Sequence, residues 1–107
     1  MYAAIRRYVP KAGTVSKRDL DDLRHRIEDG FPPIIQEVQG FHCYYAVNVG
    51  DKEVVTVSLF ETKTGAKEST RRAAAFVKND PMKDQLGNPT ILEGELLVVK
   101  EAAVGVR

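Results

Sequence analysis

Phe41-His42-Cys43-Tyr44-Tyr45-Ala46-Val47-Asn48-Val49, then Gly50-Asp51, then Val54-Val55-Thr56-Val57-Ser58-Leu59-Phe60 is the stretch that decides the fold. Side chains alternate across a strand, so Phe41, Cys43, Tyr45, Val47 and Val49 share one face and His42, Tyr44, Ala46 and Asn48 the other. The second run sets Val55, Val57 and Leu59 against Thr56, Ser58 and Phe60. Gly50-Asp51 between them supplies the turn of a hairpin.

Working outward, Tyr2 to Val9 is a strand that Pro10 ends, because proline cannot donate a ladder hydrogen bond. Ser16 is an N-cap for a helix to Phe31. Leu20, Leu23, Ile27 and Phe31 recur at spacings of three and four, which makes one apolar stripe. The charged face offers i,i+4 pairs among Arg18, Asp22 and Arg26, and between Arg24 and Glu28. Pro32-Pro33 breaks this helix, and Ile34 to Val38 adds a turn before Gly40. After the hairpin, Thr64 to Lys78 is a second, alanine-rich helix that Asn79-Asp80-Pro81 ends. Ile91 to Val99 is the last strand, with Leu92, Gly94, Leu96 and Val98 against Glu93, Glu95, Leu97 and Val99. The order βαββαβ predicts an α+β, ferredoxin-like sandwich: one antiparallel sheet with helices on one face.

One side of that sheet is nearly all aliphatic and is expected to receive the helices. The other is mixed and would leave Tyr44, Phe60, Leu97 and Val99 exposed. An apolar patch of that size marks an interaction site. The economical expectation is a homodimer packed face to face through the mixed surfaces, burying on the order of 2,000 Å². His42, Thr56, Ser58 and Glu95 would then hydrogen-bond at the seam.

Composition narrows the function classes. The chain has 107 residues, enough for one core and no second one. Residues 1–100 are read as the domain and 101–107 as a tail. Sixteen basic residues against 15 acidic ones leave a net charge of +1, which argues against nucleic acid or an anionic membrane as partner. No apolar run approaches a membrane span and no secretory leader opens the chain, so a cytoplasmic location is expected. Cys43 is the only cysteine and is read as a small buried hydrophobe. The two histidines, seventeen apart, give no metal-ligand spacing. Dinucleotide, P-loop and nucleophile-elbow motifs are absent. The run Val54 to Phe60 lacks the stacking aromatics and basic residues of an RNA-recognition strand. His25 and Arg71-Arg72 are read as solvated. Arg6 and Arg7 point to opposite faces; one is expected to pair with a carboxylate such as Glu93 or Glu95, the other to be free for an anionic ligand.

Five stretches together resemble a known family. They are Ala4-Ile5-Arg6-Arg7-Tyr8, Glu28-Asp29-Gly30-Phe31-Pro32-Pro33, Gly40-Phe41-His42-Cys43-Tyr44-Tyr45, Val57-Ser58-Leu59-Phe60-Glu61-Thr62 and Glu93-Gly94-Glu95. The chain resembles the antibiotic biosynthesis monooxygenase (ABM)-like domain of the dimeric α+β barrel superfamily. The resemblance implies dimerisation through the sheets and a ligand cavity between helices and sheet. It also implies that residue 60 points into that cavity, whereas the alternation puts Phe60 on the face away from the helices; a twist or a bulge at the strand end would reconcile the two. Haem-degrading relatives carry an asparagine on strand one, a tryptophan closing strand three and a histidine on the second helix. This chain has Arg6 or Arg7, Phe60 and no histidine there, which disfavours haem degradation.

The resemblance therefore implies a cofactor-independent monooxygenase acting on a small electron-rich aromatic of the quinol or anthrone type. No cofactor or metal is expected. A histidine can act as a base and a tyrosine can hold a quinone oxygen. His42, Tyr44, Tyr45, Asn48 and Phe60 are accordingly the candidate ligand-binding residues. The alternative is a non-catalytic module that binds a small ligand or simply dimerises.

Overall fold

The computed structural model describes residues 1–13 and 16–102. Strands β1 (Tyr2–Tyr8), β2 (Phe41–Val49), β3 (Glu53–Phe60) and β4 (Thr90–Glu95) form one sheet in the order β2-β3-β1-β4. All three neighbouring pairs are antiparallel. Helices α1 (Lys17–Gly30), α2 (Pro32–Ile35) and α3 (Lys63–Lys78) and a 3₁₀ turn (Pro81–Asp84) complete the chain. This is the expected ferredoxin-like order. No helix among the described residues is long and apolar enough to cross a membrane.

The local signals behave as their chemistry dictates. The Ser16 side chain accepts from the Asp19 N–H and caps α1, and Thr62 caps α3 through the Gly65 N–H. Gly50 and Asp51 both have positive φ, near 60°, which turns the hairpin with the twist its strands need. Gly65 lies where α3 meets β3; a Cβ there would stand 3.0 Å from the Gln39 carbonyl oxygen and 3.1 Å from the Phe60 ring. Arg26 pairs with Asp22 as expected, while Arg24 pairs with Asp21, one turn back, instead of Glu28.

The sheet's faces are reversed relative to the sequence reading. Ala4, Arg6, Tyr8, Val54, Thr56, Ser58 and Phe60 are buried, and they lie on the mixed face, beneath the helices. The aliphatic face looks outward. Its central row, Tyr45–Val57–Ile5–Leu92, crosses all four strands. Tyr45 is 59% and Leu92 60% exposed. The reason is that the helical layer brings its own bulk. Leu23, Phe31 and Ile35 fill the layer between, so the sheet beneath can be small and polar. Thr56 and Ser58 accordingly sit under helices and not at an external seam, and Cys43 is half-buried on the outer face.

Two further departures have local causes. The β2–β3 register shifts between Phe41 and Cys43, and this bulge carries Phe41 to the helix side, its ring 5.9 Å from Phe60. The bulge lies in β2; Phe60 itself needs none, because its whole face is the helix-covered one. β4 stops at Glu95 instead of Val99. Glu95 pairs with Tyr2, the first residue of β1, so no partner strand remains beyond one bond from Leu96 N–H to the Met1 carbonyl. Leu97 is left 94% and Val98 83% exposed. The expected 101–107 tail falls largely outside the described residues.

Candidate functional site

The helix-covered face builds the site from the row Ala46–Thr56–Arg6–Ile91. Arg6 is 1% exposed. Its Nη2 donates to Ser58 Oγ at 3.0 Å and its Nη1 to Ser69 Oγ at 3.4 Å. Its guanidinium carbon lies 5.8 Å from the centre of the Phe31 ring, near enough for cation–π attraction. Among the described residues Arg6 has no ion-pair partner. Arg7, on the opposite face, pairs with Glu53 at 2.7 Å, and Glu93 is held by Thr70 and Lys67. One arginine thus pairs with a carboxylate as expected, but with Glu53 and not with Glu93 or Glu95.

A small chamber lies beside Arg6. Its volume is about 20 Å³, room for one water-sized group. Tyr8, Phe31, Tyr44, Thr56 and Phe76 are among its walls. Phe31 meets Tyr44 edge-on, with ring centres 5.2 Å apart, and Phe76 at 5.4 Å. Thr56 Oγ1 is buried without a hydrogen-bond partner. Burial pushes the Tyr44 and Tyr8 phenols above their ordinary pKa, against a smaller opposing pull from Arg6. Both remain protonated at neutral pH and can donate.

Next to the chamber a groove of about 420 Å³ runs between α1 and β2, within the size range of small-molecule sites. Leu20, Ile27, Tyr44, Ala46, Asn48 and Val54 are among its lining residues. Ile27, Tyr44 and Val54 border both spaces and form the partition between them.

Of the five candidates from sequence, Tyr44 stands at the centre of this arrangement. Asn48 lies on the groove rim, where its amide also holds Asp51 in the hairpin turn. Phe60 faces the same layer but fills the core with Ala4, Ile35 and Ala66. His42 is exposed at the bulge and paired with Glu61 at 2.5 Å, lining neither space. Tyr45 projects from the outer face. Ile27, Phe31 and Phe76 were not anticipated in the site, and Arg6 was anticipated only as one of two arginines that could bind an anionic ligand. Arg6 had a signal, since alternation separated it from Arg7, but nothing marked which of the two faces was covered.

No family model and no curated protein matches the chain. Solved structures do. A protein of unknown function from Nitrosomonas europaea superposes with TM-score 0.68 at 23% identity, over 95% of this chain and 94% of that one. The haem degrader MhuD from Mycobacterium tuberculosis, with two haems in its active site, gives 0.69 at 14%, over 94% and 100%. A monooxygenase from the gene ActVA-Orf6 of Streptomyces coelicolor, bound to nanaomycin D, gives 0.66 at 15%, over 95% and 92%. The chain has the ABM-like fold. At these identities the likeness concerns fold alone.

Proposed function

We propose that the protein works as a homodimer whose protomers each bind a small aromatic molecule in the groove beside Tyr44. We propose further that it oxidises an electron-rich aromatic with O₂ and no cofactor. The observation that carries this reading is a groove of ligand size beside Tyr44 that adjoins a chamber walled by Arg6 and the Tyr8 and Tyr44 phenols. In cofactor-free oxygenation the substrate loses a proton and gives its own electrons to oxygen. A methylene plus O₂ becomes a carbonyl plus water. A fixed cation and phenolic donors would stabilise the substrate anion that such a reaction requires. The shared fold with a monooxygenase that binds nanaomycin D supports the same class.

Haem fits these residues poorly. Neither His25 nor His42 lines the groove or the chamber, so no histidine is placed to hold it. The dimer seam is assigned to the outer face, whose row Tyr45–Val57–Ile5–Leu92 is apolar from edge to edge, with the exposed Leu97 and Val98 beside its edge. A second reading is non-catalytic binding. It is favoured by one feature: the Tyr8 and Tyr44 phenols stay protonated, and no histidine or carboxylate lines the chamber.

Oxygen uptake with anthrone separates the two. The oxidation reading expects consumption above the uncatalysed rate, one O₂ per anthrone, and its loss in Tyr44→Ala. Raised melting temperature with anthrone but no uptake would establish the binding reading. No uptake and no thermal shift would contradict both.

A further inference from the structure

Burying a charge away from water costs several kcal/mol unless an opposite charge or strong hydrogen bonds offset it. Arg6 has no opposite charge within reach among the described residues: two serine hydroxyls, the neutral Tyr8 phenol and an aromatic face are all that surround it. Its strand neighbour Thr56 also ends in an unpartnered buried oxygen. Both residues wall the same chamber, and the chamber holds about one oxygen-sized group. The ionisable side chains around it cannot neutralise Arg6, since Tyr8 and Tyr44 stay protonated and Glu93 is engaged by Thr70 and Lys67. A fold that needed only packing here would be better served by an apolar side chain of similar length.

We propose that Arg6 is the receptor for a single anionic oxygen on the aromatic ligand, with Thr56 Oγ1 donating to that same oxygen. This rests on the groove reading above and names the substrate class: a small planar aromatic bearing a carboxylate or a phenolate. The ring lies in the groove, and the charged oxygen enters the chamber past Tyr44 and Ile27, the partition between the two spaces. An oxyanion seated in the chamber supplies the missing counter-charge. A guanidinium–oxyanion contact is charge-assisted, and it is strongest where water is excluded.

Calorimetric titration of 4-nitrobenzoate, 4-nitrophenolate above its pKa and neutral 4-nitrobenzamide tests this. The three share a ring and differ in the oxygen presented. Wild type is expected to bind at least one anion about tenfold or more tighter than the amide, the step expected of a hydrogen bond to a charged group. The tighter of the two anions identifies the source of the oxygen. Arg6→Met is expected to erase the preference for the anions over the amide and to melt at or above the wild-type temperature, because an uncompensated buried charge has been removed. Thr56→Val, a milder change, is expected to weaken anion binding several-fold without loss of stability, and carries the test if Arg6→Met does not fold. Equal binding of all three compounds would overturn the inference and leave the groove reading standing. An anion preference that survives Arg6→Met, or is unmoved by Thr56→Val, would overturn it as well. Binding of none of them would overturn both.

Discussion

Phe60→Ala is expected to lower folding stability by about 3–5 kcal/mol, the range for truncating a fully buried aromatic. Phe60 is 0% exposed and closes β3 between Tyr2 and Phe41. Its ring packs with Phe41 and lies against the backbone of Gly65, where α3 begins. Ladder bonds fix the strand on both sides and Thr62 caps the helix, so the surroundings cannot collapse into the space left behind. Against a total stability of roughly 5–15 kcal/mol, that is a large share. Urea denaturation of Phe60→Ala beside wild type measures it. A loss below about 1 kcal/mol would mean that residue 60 does not face the helical layer.

The second large effect is expected on the opposite face. Val57→Asp places a carboxylate in the middle of the row Tyr45–Val57–Ile5–Leu92. In a lone protomer the site is half-buried and a carboxylate can reach water. In a face-to-face dimer it would be desolvated opposite its own copy, at a cost of several kcal/mol per ion. Dimer affinity should therefore fall by at least about a hundredfold. Sedimentation velocity is expected to give a dimer for wild type and a folded monomer for Val57→Asp, with unchanged far-ultraviolet circular dichroism. A variant that still sediments as a dimer would move the seam elsewhere.

The two variants test what sequence alone got backwards. Alternation in Phe41–Val49 and Val54–Phe60 was legible, as were the caps at Ser16, the break at Pro32-Pro33 and the element order. An apolar count shows which strand face seeks cover. It cannot show whether helices or a second copy provide it. Here α3 meets the sheet with Ala66, Ser69 and Ala73, while Phe31 and Ile35 supply volume from the helical side. Small and polar residues such as Ala4 and Ser58 can then lie underneath, and the Val, Leu and Ile row is left facing outward.

The same inversion explains the site. Once the mixed face is the covered one, Tyr44 and Phe60 turn inward and Tyr45 outward, without change of register. His42 was lost to a different cause, the bulge, which period-two counting does not register. Arg6 became conspicuous only in three dimensions. Nothing in Ala4-Ile5-Arg6-Arg7-Tyr8 says that one arginine finds Glu53 and the other finds only hydroxyls.

Backbone amide chemical-shift mapping during titration with 4-nitrobenzoate tests most directly whether the mixed face under the helices is the ligand site. Shifts clustered at Ile27, Tyr44, Ala46, Val54 and Thr56 are the expected result. Shifts confined to Tyr45, Val57 and Leu92, or to no contiguous surface, would contradict it.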